Sequence, residues 1–394
     1  MSSIGNDFSR GVFMITRTFR VVYCMVIVLS ALGAIEAAGR GSSFKVKGPP
    51  VPRGRRYKDI VQDKFPGGNV YIGGTTGWRR HDGADGEVLD REFSYVTPEN
   101  DFKQRMINPR PGVLKWSLAD NWVKHCKKTG QVIRAHGPIS PQCSKWVKDD
   151  RRTAAELEAA LKEFFIAFCK RYNDEDTIRW IDVVNETLLA NGAWHGPRKG
   201  TEKWECPWEL LGRDESDSLK VPKYIKMAFE IANKYALKKK LIINQHGGME
   251  QAMWDKVKYL VKYLRGHGLR VDGIGWQAHV NTGFEKNDDN LKKLGELIDW
   301  AHANNLSFHV TEANAWLKNK ADYQGQANTF AAILEVVLER RGTGEIGWNT
   351  WNLSDGACWR PEWRGCLFYS GYKPKPAYYA IQELLENPPS VKLK

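Results

Sequence analysis

Hydrophobic positions follow two periods in turn along most of the chain. Short β-branched or aromatic runs fall at NVYIGG (69–74), EFSYVTPEN (92–100), QVIRAH (131–136), TIRWIDVVNE (177–186), KLIINQ (240–245), VDGIGWQAH (271–279), SFHVTE (307–312) and EIGWNTWN (345–352). Amphipathic stretches separate many of them, which predicts strands alternating with helices. The clearest helix is TAAELEAALKEFFIAFCKRY (153–172). Leu157, Leu161, Phe164, Phe165 and Phe168 recur there at three and four, and Thr153 with Glu156 makes a capping box. Further helices are expected near 222–237, 249–265, 290–303, 323–341 and 375–386. Eight strands alternating with helices over about 320 residues is the arithmetic of a single (β/α)8 TIM barrel in the α/β class. A doubly wound open sheet would also alternate, but the nucleotide fingerprint G-x-G-x-x-G is absent, and GGTTG (73–77) lacks the lysine of a phosphate loop.

The ends of the chain have a different character. Arg10, Arg17 and Arg20 precede the apolar run VVYCMVIVLSALGAI (21–35), and Ala37, Ala38 and Gly39 follow it. A positive flank, a short apolar core and small residues read as a secretory signal over residues 1–38, too short to span a membrane. The expectation is export, to the medium or a periplasm, with no stable membrane span once the signal is removed. Of the net charge of +13, residues 1–38 hold +1 and residues 39–58 hold +7, leaving +5 for the rest. Residues 39–68 therefore read as a solvated basic linker or arm, residues 69–386 as the barrel, and 387–394 as a tail. A flexible spacer is the first reading of the basic stretch and a patch for an acidic polysaccharide or anionic cell surface the second, since no nucleic-acid-binding motif accompanies it. Six cysteines remain after the signal, and Cys358 and Cys366 are near enough in sequence to clip one loop; Cys126 and Cys169 read as buried thiols. No Cys/His spacing suggests zinc.

Barrel chemistry sits at the carboxyl ends of the strands. Those ends carry Glu99 and Asn100, His136, Asn185 and Glu186, Gln277 and His279, Thr311 and Glu312, and Trp351. Two carboxylates on different strands, with polar and aromatic neighbours and no metal cluster, suggest a pair placed across a sugar. Glycosidic cleavage needs a proton donor for the leaving oxygen and stabilisation of an oxocarbenium-like carbon, and two carboxyl groups about 5–5.5 Å apart supply both. The count of 16 Trp, 14 Tyr and 15 Phe, high for 394 residues, fits flat surfaces for sugar rings.

At these residues the chain resembles glycoside hydrolase family 10, chiefly retaining endo-β-1,4-xylanases. WIDVVNE (180–186) is similar to the family's WDVVNE, which implies that Glu186 is the acid/base and that Asn185 binds near the sugar 2-hydroxyl. TEAN (311–314) resembles TELD, implying Glu312 as nucleophile. TPENDFK (97–103) implies sugar-binding roles for Glu99, Asn100 and Lys103. RAH (134–136) carries over His136, and GIGWQAH (273–279) carries over Gln277 and His279. WNLSD (351–355) and LFYSGYKPKPAYYAI (367–381) match the last strand and helix, implying a cleft floor of Trp351 with Trp359 on the following loop. INQHGG (243–248) is only loosely similar to NDYN, so Asn244 carries over less firmly.

There are departures from the pattern. After RAH the family's TLVWHSQ is replaced by GPISPQC (137–143), without its Trp and His; Asn314 stands for an acidic residue, and Gln104 for a Trp. The sequons at Asn185, Asn305 and Asn352 read as coincidences, since glycans at the first and third would block the cleft. The resemblance implies a monomeric glycosidase acting on a xylan-like polysaccharide by double displacement, with no metal or organic cofactor and no nucleic-acid partner. A retaining hydrolase of another β-linked, acidic or sulfated polymer is the alternative, followed by a catalytically inactive carbohydrate-binding barrel.

Overall fold

The computed structural model describes residues 48–149, 151–197, 205–318 and 320–392. The expected signal and the first part of the basic arm, residues 1–47, lie outside the described residues. Eight parallel strands form the barrel: β1 (Val70–Thr75), β2 (Tyr95–Thr97), β3 (Val132–Ala135), β4 (Ile178–Asn185), β5 (Lys240–Gln245), β6 (Gly273–Trp276), β7 (Ser307–Trp316) and β8 (Ile346–Thr350). They follow one another in chain order, with Gly273 of β6 opposite Ser307 of β7, and closure comes from Val70 of β1 opposite Ile346 of β8. A three-residue strand, His279–Asn281, pairs with the last residues of β7. These are the eight strands that the apolar runs predict, and the (β/α)8 barrel holds.

The helix Ala154–Tyr172 shows how the sequence sets its own ends. Thr153 Oγ1 accepts from the Glu156 amide at 3.2 Å while Glu156 Oε2 accepts from the Thr153 amide at 2.8 Å, the expected capping box. Its Leu and Phe stripe is fully buried, about 1.5–3 kcal/mol for each such side chain. Inside the barrel, Gly275 makes room for polar groups. A Cβ there would collide with Asn244 Oδ1 and Thr311 Cγ2 and crowd Arg134, all three belonging to the layer beneath the strand ends. Among the described residues, no helix is long and apolar enough to cross a membrane.

The described part of the stretch read as a solvated spacer is built into the barrel. Tyr57–Lys64 is a helix, with Tyr57 and Ile60 fully buried. The Tyr57 hydroxyl donates to the Tyr378 carbonyl at 2.7 Å and its ring stacks on Tyr378 at 4.6 Å. Charges counted as free arms are engaged: Arg56 pairs with buried Glu92 at 3.2 Å, Arg55 with Asp63 and Glu386, and Lys58 Nζ donates to the Asp90 carbonyl at 2.7 Å. Charge and Gly/Pro content suggested a linker; the apolar pair Tyr57 and Ile60, one turn apart, decides otherwise. The six cysteines are buried thiols. Cys358 and Cys366 pack together against Trp316 without the expected bond. Burial raises the thiol pKa values of Cys126, Cys143, Cys169 and Cys206, as befits core residues.

Tyr57→Ala is expected to cost about 3–5 kcal/mol of stability, as for other large aromatic truncations in cores. Arg55→Ala, at an exposed pair, should stay within about 0.5 kcal/mol. Urea unfolding of both measures this; a Tyr57 cost below about 1 kcal/mol would mean that the helix is not part of the cooperative unit.

Candidate active site

Two local irregularities aim the strand-end carboxylates. The β4–β5 register shifts between Asp182 and Val184, and the β7–β8 register shifts between Val310 and Ala313, immediately around Glu312. Bulges of this kind re-aim side chains near active sites. Glu186, just past β4, has φ +58°, the left-handed region that a non-glycine residue enters at a cost. Its amide donates to the Asn244 carbonyl at 3.0 Å, which helps to hold the turn.

The two carboxylates are connected by amides. Gln277 Nε2 donates to Glu186 Oε1 at 3.0 Å and to Asn185 Oδ1 at 3.2 Å. Asn244 Nδ2 donates to the same Asn185 oxygen at 2.9 Å and to Glu312 Oε1 at 3.0 Å. Thr311 Oγ1 donates to Asn244 Oδ1 at 2.8 Å and so fixes which end of that amide faces Glu312. With its oxygen engaged twice, Asn185 keeps its Nδ2 buried and unpartnered; Glu186 Oε2 is likewise buried without a partner. These two atoms are a free donor and a free carboxylate oxygen in the same layer.

Glu312 is held by two histidines and a lysine. His136 Nδ1 bonds Asp182 Oδ2 at 2.9 Å, which leaves Nε2 3.7 Å from Glu312 Oε1. His279 Nδ1 bonds Asn314 Oδ1 at 2.9 Å, while its Nε2 lies 3.2 Å from Glu312 Oε2. Asn314 Nδ2 donates to the Trp351 carbonyl at 2.8 Å, so its oxygen is the end turned to His279. Burial opposes ionisation of Glu312, but the charge of His136, the hydrogen bond from His279 and the Lys103 ammonium outweigh it and pull the carboxyl down to about 2. Lys103 is itself buried, which lowers its pKa. Its Nζ donates to Gln142 Oε1 at 2.5 Å and lies 6.0 Å over the Trp351 ring.

A cleft of about 940 Å³ opens over this layer. Glu99, Asn100, Lys103, Glu186, Gln277, His279, Glu312, Trp351 and Trp359 line it, while His136 and Asn185 sit beneath, touching the lining residues. All eleven residues singled out in the sequence are thus brought together. Trp351 is almost covered and meets the His136 ring at a steep angle, whereas Trp359 is 45% exposed and flanked by His279 and Trp316. Asn185 and Asn352 are buried, so neither sequon is accessible for a glycan.

Sequence reasoning passed over several contributors. Asp182 and Asn314 orient the two histidines, and Arg80 pairs with Glu99 at 2.6 Å. A charged residue inside the otherwise apolar run WIDVV is the signal that marks Asp182. Arg105, Lys145 and Arg360 also line the cleft, and no periodicity marks them: Arg105 lies in the four-residue helix Gln104–Ile107, and Lys145 and Arg360 stand on loops.

The Glycosyl hydrolase family 10 model matches residues 59–384. Endo-1,4-beta-xylanase B of Thermotoga neapolitana is 26% identical over 338 residues, covering 81% of this chain and 89% of that protein. Endo-1,4-beta-xylanase A of a Caldicellulosiruptor species is 26% identical over 317 residues; these span 75% of this chain but 43% of that longer relative. Among solved structures, Penicillium canescens endo-1,4-beta-xylanase XylE aligns with a TM-score of 0.72 over 85% of this chain and 99% of its own, at 23% identity, a likeness of fold. With strand-end carboxylates on a closed parallel barrel and a family match over most of its length, the chain belongs to glycosyl hydrolase family 10 and is a glycosidase.

Proposed function

We propose that the protein is a secreted, retaining endo-β-1,4-xylanase. The observation that carries this reading is the asymmetry of the two bridged carboxylates: Glu312 is held ionised by its cationic neighbours, while Glu186 offers an unpartnered oxygen. Glu312 attacks the anomeric carbon as Glu186 gives its proton to the departing oxygen, and a glycosyl ester forms on Glu312. Glu186, now a carboxylate, takes a proton from water, whose oxygen attacks the anomeric carbon and releases Glu312 with net retention. The free Asn185 Nδ2 donates to the hydroxyl next to the reacting carbon, Trp359 presents an exposed face to an adjoining sugar, and the nearly covered Trp351 forms the cleft floor. The leader-like residues 1–38 would deliver the enzyme outside the cell, where it works as a monomer.

A second reading concerns the polymer's decoration. Arg105, Lys145 and Arg360 line the cleft as exposed cations, which favours a xylan carrying acidic substituents. Arg105→Ala with Lys145→Ala is expected to raise KM on glucuronoxylan roughly 3-fold or more and to leave unsubstituted xylan unchanged, an effect that salt removes. Equal changes on both polymers would reject a charge-reading role.

Glu186→Ala and Glu312→Ala should each lower turnover on β-1,4-xylan at least about 10³-fold, measured as new reducing ends. Nuclear magnetic resonance of the first product should show the β-anomer before mutarotation; an initial α-anomer would overturn retention. Lys103→Met removes a positive charge that favours the Glu312 carboxylate, so the carboxyl pKa rises from about 2. The acid limb of kcat/KM is therefore expected to move to higher pH, and an unmoved limb would confine Lys103 to sugar binding.

A further inference from the structure

Beside the β1 rim of the cleft, three side chains turn their ligating atoms toward one point. His81 ends the short helix Trp78–His81, Asp90 lies on Ala84–Glu92, and His125 lies on Ser117–Thr129. His81 Nε2 is 3.1 Å from His125 Nε2; Asp90 Oδ1 is 2.9 Å from His125 Nε2 and 3.8 Å from His81 Nε2. Among the described residues this is the one group of three such ligands within reach of a common ion. None of the three lines the catalytic cleft.

Protons serve this arrangement poorly. An imidazole nitrogen has a single in-plane direction and holds either one hydrogen or one lone pair. If His125 Nε2–H points at Asp90, it offers nothing to His81 Nε2; if it accepts from His81, the carboxylate contact has no proton. A cation at the common point satisfies all three. Zinc bonds of about 2.0–2.2 Å at tetrahedral angles put ligand atoms about 3.3 Å apart, within the spread of the three separations here. Two imidazole nitrogens and one carboxylate suit zinc rather than magnesium or calcium.

The rings are also braced. Trp78 stacks on His81 at 4.9 Å with planes 4° apart, and Trp122 meets both histidines edge-on. Asp101 Oδ2 in turn accepts from the Trp78 amide at 2.7 Å and Trp122 Nε1 at 2.8 Å. The imidazole centres, 4.1 Å apart, need to part by about 1 Å to seat an ion, a movement that the broad χ2 range of histidine allows. Partial exposure of Asp90 leaves a side open for a fourth ligand from water.

We propose that His81, Asp90 and His125 form a structural site for one zinc ion. It would pin the segment after β1, whose next residue back, Arg80, holds Glu99 at the cleft. The test uses the untagged full chain, stripped with chelator and titrated with Zn²⁺ in a calorimeter. One ion per chain is expected, with a rise in Tm of roughly 5 °C at 100-fold excess over Kd. His81→Gln and His125→Gln should each weaken binding at least about 10-fold, while His267→Gln on the exposed surface leaves it intact. Circular dichroism without metal checks that the variants fold. Should either variant fail to fold, Co²⁺ added to the parent decides: intense tetrahedral bands support the site, and weak octahedral ones overturn it. Absence of one-to-one binding in the parent, or binding unchanged in both folded histidine variants, also overturns it.

Discussion

Asp182 lies inside the barrel with no exposure, and a carboxylate persists there only when it is paired. Its partners come from the neighbouring strand β3 and its end: Arg134, also fully buried, at 2.8 Å, and His136 at 2.9 Å. Holding Nδ1 of His136 turns the opposite nitrogen to Glu312, so a charge in the core shapes the field at that carboxylate. Arg134 in turn needs the space that Gly275 leaves open. Removing the Asp182 carboxylate would leave a buried guanidinium unpaired, a loss of about 3–5 kcal/mol, and release the histidine as well. Stability and electrostatics of the site therefore share one atom group.

Departures from the family pattern cluster on the loop after β3. Ser140 and Pro141 take the positions of an aromatic and a histidine, and Trp208, from a distant segment, donates its indole N–H to the Ser140 carbonyl at 3.2 Å. Gln142 from the same loop accepts from Lys103 and keeps that cation over Trp351. The Glu312 side is altered more gently. An amide at Asn314 still orients His279 as an acceptor, and it brings no negative charge beside Glu312.

The barrel was legible because its strands are apolar and short and its longest helix has both a stripe and a cap. The site was legible because the strand-end rule converts position in a run into position at the cleft, and Glu186 and Glu312 both obey it. What escaped notice depends on contacts that cross many residues. Tyr57 is one aromatic in a basic stretch, and its burial is set by Tyr378 at the other end of the chain. His81, Asp90 and His125 follow no ligand spacing, since they meet only after three helices dock. Cys358 and Cys366 show the converse: closeness in sequence suggested a bond, and they touch without one.

The clasp between the first and last helices has a temporal consequence. Tyr57 and Tyr378 are 321 residues apart, and Gln382 donates to the carbonyls of Arg53 and Arg55. At ribosomal rates of about 5–20 residues per second, the first helix waits on the order of half a minute for its partner to be made. During that interval Tyr57 and Ile60 stay uncovered, and the nascent chain is an unfinished cylinder. Contacts of such long range close late and act mainly to slow opening rather than to hasten folding. The clasp is thus a latch on a completed molecule, and the chain remains pliable until its last few dozen residues have emerged.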